Sequence, residues 1–268
     1  MLSPRDALAS ACLGCELLAI GGHDGSNYIA SCEVYSASTP GHGRFPRWTW
    51  IPSLSASRAF HAATTARGRV LVFGGQGSRT GKPGGYGDAP VREAMVLSSC
   101  EVMDEQLQGW SSAPELPSPR TMMAGASTID RHFCIGGRTG KFDQSPALDS
   151  VLALDLRMKS WMQLPSLREK KYGAAAASWN GRVYVFGGHD LAKPLSTVEV
   201  VFDERRNAWS ECEPMKHERV FSQVRARVDD SRLTGAGCAH GRLRLRHLRL
   251  RQGGGGSPGE DKPSVVIT

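Results

Sequence analysis

The chain has 268 residues and a formal net charge of +7. Between Arg219 and Arg251 nine arginines face two aspartates, a surplus equal to the whole excess, and the rest balances 24 basic against 24 acidic residues. That excludes a polyelectrolyte body built for nucleic acid and confines the basic character to one late segment. Seven cysteines, no N-x-S/T sequon and no apolar run near the roughly 20 residues of a membrane span argue against a disulfide scaffold or a spanning helix. They point to an intracellular, cytoplasmic chain with reduced thiols.

The first predicted elements follow Arg5. A strand of small residues carries Ala9 and Ala11, and a second, with Leu18 and Ile20, runs into Gly21-Gly22. His23 and Asp24 come next, then a third strand over Cys32–Tyr35, then Trp48 and Pro52. The same order returns three times. Arg58 precedes Ala62 and Thr64, then Leu71, Phe73, Gly74-Gly75 and Gln76, Cys100–Met103, Trp110 and Pro114. Arg120 precedes Ala124 and Ala126, then Phe133, Ile135, Gly136-Gly137 and Arg138, Val151–Leu154, Trp161 and Pro165. Lys171 precedes Ala175 and Ala177, then Tyr184, Phe186, Gly187-Gly188, His189 and Asp190, Val198–Phe202 and Trp209. Each Trp is followed ten residues later by the next basic residue, and that residue 16 positions later by a glycine. Repeats of this length signal a repeat architecture.

Large apolar residues alternating before each diglycine describe a strand. Asn180-Gly181, six residues ahead of its diglycine, is a strong hairpin signal, because both central residues need positive φ. A strand restricted to Ala, Thr and Ser is one crowded by its symmetry mates, as at the axis of a propeller. Each Trp offers a large surface for packing blade on blade. Cys12-x-x-Cys15 stands alone and reads as two residues of the first hairpin, while Cys32 and Cys100 occupy equivalent strand positions.

A diglycine, then W-x-x-[IL]-P, then a basic residue and a small-residue strand resembles the kelch repeat over roughly residues 5–220. The resemblance implies an all-β fold: a kelch-type β-propeller of about four complete four-stranded blades plus a degenerate fifth. Blades are expected over about 5–54, 58–116, 120–167 and 171–214 within 1–220. Residues 219–236 begin the fifth, and 237–268 form a basic, then polar, disordered tail. Gly21, Gly22, Gly74, Gly75, Gly136, Gly137, Gly187, Gly188, Trp48, Trp110, Trp161 and Trp209 are its structural residues.

Family propellers usually have six blades, so the ring is expected to be incomplete. The favoured reading is a truncated or mis-spliced product; closure by a second copy or partner, and a small irregular ring, stay open. The Arg-Leu segment around 240–252 is expected to be a solvated tail. It lacks the aromatics that stack nucleic-acid bases, and membrane binding is not expected.

No H-E-x-x-H, G-x-S-x-G or complete phosphate loop is present. No catalytic residue, metal or cofactor is assigned. By resemblance the function is protein recognition or scaffolding, in the manner of a cullin ubiquitin ligase adaptor or an actin-associated protein. The alternative is a kelch-fold oxidase or epimerase. In the adaptors the basic residue before the small strand lies on the substrate face. The resemblance therefore implies a ring of Arg5, Arg58, Arg120 and Lys171 that binds an acidic peptide, rimmed by His23, Asp24, Gln76, Arg138, His189 and Asp190. The competing reading is structural, with those cations bonded to backbone carbonyls between blades.

Overall fold

The computed structural model describes residues 1–36, 46–78, 95–140, 145–203, 208–222, 224–226 and 265–267. The first sheet comprises β1 (Ala9–Leu13), β2 (Glu16–Ile20), β3 (Cys32–Ser36) and β4 (Arg47–Ile51). Then follow β5 (Ser57–Ala59), β6 (Ala62–Ala66), β7 (Arg69–Phe73), β8 (Gln76–Ser78), β9 (Met95–Val96), β10 (Cys100–Asp104) and β11 (Ser111–Ala113). The third group is β12 (Ala124–Ser127), β13 (Arg131–Ile135), β14 (Val151–Asp155) and β15 (Ser160–Leu164). The fourth is β16 (Ala175–Trp179), β17 (Arg182–Phe186), β18 (Val198–Asp203) and β19 (Ala208–Cys212), and β20 (Val224–Ala226) and β21 (Val265–Ile267) end the series.

Four antiparallel four-stranded sheets result, ordered β1-β2-β3-β4, β6-β7-β10-β11, β12-β13-β14-β15 and β16-β17-β18-β19. Each is a meander, so register follows from tight turns and from the apolar alternation. Arg67-Gly68 and Asn180-Gly181 have positive φ at both residues, as the two-residue hairpin demands. Two smaller sheets were not read from the sequence: β5-β8-β9, and β20 paired with β21. The last pairs Val265–Ile267, inside the stretch expected as a tail, with Val224–Ala226. Residues 237–264 lie outside the described residues.

The sheets pack face to face. Between the first and second, Leu13, Leu18, Ile20 and Val34 meet Val70, Val72 and Met103. Between the second and third, Leu71, Phe73 and Cys100 meet Cys134, Leu152 and Leu154. Between the third and fourth, Phe133, Ile135, Val151 and Ala153 meet Val183, Val185 and Trp209. Burying such side chains on both faces supplies roughly 1.5–3 kcal/mol each, and it explains why near-continuous apolar strands alternate with exposed hairpin tips. No helix among the described residues is long and apolar enough to cross a membrane.

The tryptophans lock successive sheets. Trp110 Nε1 donates to the Pro52 carbonyl (2.9 Å), Trp161 to Pro114 (2.8 Å) and Trp209 to Pro165 (2.8 Å). Every W-x-x-x-P unit thus supplies an acceptor to the next blade's indole. Trp48 has no preceding blade among the described residues and leans on Tyr35 instead, with ring centroids 5.4 Å apart.

Each diglycine brings two backbones close. Gly75 has φ near +98°, and a Cβ there would lie 2.7 Å from the Ala59 carbonyl oxygen. Only glycine tolerates both conditions.

Candidate functional site

The chain enters each innermost strand through one left-handed residue. Ala7, Phe60, Met122, Gly173 and Phe221 all have φ between 47° and 60°. They form an arc of backbone hydrogen bonds around the axis. Phe60 N–H donates to Ala7 C=O (2.9 Å), Met122 to Phe60 (2.9 Å), Gly173 to Met122 (2.8 Å) and Phe221 to Gly173 (2.7 Å). Four of the five residues are not glycine, so the strained conformation is held by the arc itself. Phe221, at the start of the degenerate fifth unit, continues the series of bonds in register with the others.

A cavity of about 500 Å³ starts beneath this arc. Ala9, Ala62, Ala124 and Ala175 line it, together with Leu8, His61, Met123 and Ala174 near the mouth. Deeper in, Ser127 Oγ donates to the Thr65 carbonyl (2.7 Å) and Ser178 Oγ to the Ser127 carbonyl. The small side chains are thus required twice, for space and for hydroxyl links between blades.

The four sequence-predicted cations do not line this mouth. Arg5, Arg58, Arg120 and Lys171 are 9%, 0%, 4% and 1% exposed. The expectation of a basic ring open to an acidic peptide is corrected by that burial. Arg58 acts as a rivet: its backbone N–H donates to Ile29 of the first blade (3.2 Å), and its carbonyl accepts from Gly22 (2.8 Å). Its guanidinium enters the second blade, donating to the Gly74 and Ser99 carbonyls (3.0 and 2.9 Å) and to Glu101 (2.8 Å). Arg5 makes the matching bonds to Gly21, Ser31 and Glu33. Lys171 reaches Glu199 (2.7 Å) and Thr197 Oγ1 (3.2 Å).

The buried carboxylates are the partners that sequence reasoning missed. Burial alone would raise the Glu33 carboxyl, but the Leu2 and Ser3 amides, the Ser3 hydroxyl and the Arg5 guanidinium outweigh it and hold it below the usual range. Ser55 N–H donates to the Glu101 carboxylate (2.8 Å), and Arg168 N–H to that of Glu199 (2.8 Å). A charge-assisted triad of this kind satisfies a buried ion pair that would otherwise be costly. Three of the four cations are thus paired with a carboxylate inside their blades, and all four are turned into the fold rather than toward the mouth.

The residues after each diglycine pair with the segment that enters the innermost strand of their own blade. His23, Arg138 and His189 each bridge back to the residue next to the blade's cation: Asp6, Thr121 and Tyr172. Gln76 takes the same place opposite Ala59. Gln76 and Arg138 are buried, with Arg138 stacked 5.1 Å over the Tyr172 ring. Asp24 Oδ1 accepts from Ser26 and Asn27 N–H, and Asp190 Oδ1 from Ala192 and Lys193 N–H. Those backbone bonds lower both carboxyls, so they stay ionised at neutral pH. His23 and His189 each accept a backbone N–H at Nδ1, from Gly25 and Leu191.

Inside this rim lies an apolar collar that the sequence did not announce. Met122, Ala147 and Tyr172 cluster with half-buried Phe60, and Phe221, 54% exposed, stands 6.2 Å from the Tyr172 ring. The site therefore offers an aromatic collar, ionised carboxylates and a small bore. Among the described residues no three His, Cys, Asp or Glu side chains gather as a metal group would require.

Residues 4–40 and 170–216 match the family model of the Kelch motif. Kelch-like protein 36 of Rattus norvegicus is 24% identical over 197 residues, covering 72% of this chain and 29% of that protein. Kelch-like protein 40 of Mus musculus is 32% identical over 124 residues, 46% of this chain and 20% of its own. Alpha-scruin of Limulus polyphemus is 22% identical over 160 residues, 58% of this chain and 16% of its own. The chain thus spans less than a third of these relatives' length. The solved structure of YjhT superimposes with a TM-score of 0.65 at 17% identity, covering 82% of this chain and 74% of that one, a likeness of fold.

Proposed function

We propose that the chain, whose repeats match the Kelch motif over residues 4–40 and 170–216, is a non-catalytic recognition module that grips a protein partner on the collar face. One observation carries the reading. An exposed aromatic, Phe221, and outward carboxylates stand on the segments that lead into the strands lining a preformed opening. Binding surfaces favour such loop clusters on a rigid scaffold. The titratable groups of the rim have their lone pairs engaged by their own loop amides, which suits fixed recognition better than proton transfer.

The similarity to kelch-like proteins and scruins supports two narrower roles, substrate recognition for a cullin-type ubiquitin ligase and association with actin, in a cytoplasmic setting. A kelch-fold enzyme is the competing class. The experiment is capture of partners from the native cell by the intact chain and by Phe221→Ser. A partner retained by the first and lost by the second is expected. Equal capture by both would refute the collar as the binding site.

A further inference from the structure

The neutralised cations change what chemistry the mouth prefers. With Arg5, Arg58 and Lys171 paired to Glu33, Glu101 and Glu199, and Arg120 buried on the Gly136 and Ser150 carbonyls, no cation of those four reaches out to solvent. Arg219, at the equivalent place in the fifth unit, is exposed, but the charges left outward by the loops of the first and fourth blades are chiefly of the opposite sign. Asp6, with its side chain 77% exposed, stands 4.0 Å from the His23 imidazole. Asp24 is exposed and Asp190 half-exposed. Among the described residues of the post-diglycine loops, Lys193 is the exposed cation that opposes them. The loop stretches 79–94 and 141–144, outside the described residues, are nearly neutral in sequence, with four basic and three acidic residues.

From this arrangement we infer that the collar docks a cationic, aromatic or aliphatic segment of a partner protein, its apolar side chain on Phe221 and Phe60 and its basic groups against Asp6, Asp24 and Asp190. The inference rests on the collar being the binding face. It assigns to that face a partner opposite in charge to the acidic peptide that the sequence suggests. Carboxylates on a rim steer and select partners more than they add affinity, so the preference is salt-sensitive. The apolar collar supplies the anchor, since a central aromatic contact dominates most interfaces.

The test uses the intact chain and two fluorescent peptides, one alternating lysine with phenylalanine and one alternating glutamate with phenylalanine. The variant is Asp6→Asn with Asp24→Asn and Asp190→Asn, which removes three charges while keeping the side-chain oxygens that accept the loop amides. The lysine peptide is expected to bind the native chain about tenfold more tightly than the variant at low salt, a difference that shrinks as salt rises. The glutamate peptide is expected to be indifferent to the variant, any binding it shows belonging to the arginine-rich segment. Equal affinity of the lysine peptide for both proteins, or no binding of it, overturns the inference. So does a gain in glutamate-peptide affinity that fails to accompany a loss for the lysine peptide. Native partners lost with Phe221→Ser but kept by the triple variant refute the charge assignment alone. Partners indifferent to Phe221→Ser refute the collar itself.

Discussion

The second and third blades solve one problem in two ways. In the second, Arg58 meets Glu101, and Ser55 N–H completes the carboxylate. In the third, Arg120 still donates to the Gly136 and Ser150 carbonyls (3.3 and 3.0 Å), but Leu152 stands where the carboxylate was. The residue three before Arg120, equivalent to Ser55, is Pro117, which has no N–H to leave unsatisfied. Acceptor and donor have been lost together. The guanidinium is then held by backbone carbonyls alone, whereas Lys171 in the fourth blade keeps its carboxylate and gives up the carbonyls.

This contrast sets the largest expected effect. Glu101→Leu copies half of the third blade's solution into the second and strands both Arg58 and the Ser55 amide. A loss of about 3–5 kcal/mol in urea unfolding is expected, the cost of orphaning a buried charge. Adding Ser55→Pro copies the other half, and the double variant is expected to recover about 1 kcal/mol. Additive losses would show that the pairing of Leu152 with Pro117 is coincidental. Arg58→Lys asks the milder question, because Lys171 already reaches its glutamate without a fork. A loss of about 1–2 kcal/mol is expected, for the carbonyl bonds an ammonium cannot reach.

How much of this was legible depends on whether an interaction repeats in sequence. The diglycines and the Trp-to-Pro interval recur at fixed spacing because backbone strain and indole packing leave few substitutes, so the blades could be read. The arginines were equally visible, yet their role was assigned to the mouth. The correcting signal lay in Cys32-Glu33-Val34 and Cys100-Glu101-Val102, where an acid sits inside an apolar strand and demands a buried partner. The collar was illegible for a different reason. Phe60, Met122 and Phe221 adopt left-handed backbone with no residue-type signature, and only Gly173 hints at it. Their conformation comes from neighbouring blades, not from local propensity.

His61 sharpens the comparison at the same junction. Leu8, Met123 and Ala174 hold the equivalent place in the other blades, yet His61 is buried with neither ring nitrogen hydrogen-bonded. Burial first, and the nearby Arg58 charge second, push its pKa down to about 3. The unfolded chain takes up this proton below about pH 6.5, while the folded chain refuses it until about pH 3. Stability from this source is therefore complete above pH 6.5 and falls as the pH is lowered towards 3. His61→Leu is expected to gain about 1–2 kcal/mol at neutral pH, by removing unsatisfied polar atoms. It should also flatten the acid limb between pH 6 and 4, leaving the slope owed to His132, whose burial lowers it to about 4. A variant with an unchanged acid limb would mean that the His61 ring finds water or a partner in solution.

The smallest effect separates Trp48 from its three counterparts. Trp161 donates to Pro114 and also meets the Phe73 ring edge at 5.8 Å. Trp161→Phe keeps a ring for that contact and deletes only the N–H, so it isolates the lock between blades. A cost of about 1 kcal/mol is expected, the net value of one hydrogen bond plus the stranded Pro114 carbonyl. Trp48→Phe removes an indole that bonds no proline among the described residues, and its cost should stay within about 0.5 kcal/mol. Paired urea midpoints decide the matter. If both changes cost the same, indole bulk rather than the carbonyl bond joins the blades, and the fixed interval from tryptophan to proline records strand length alone.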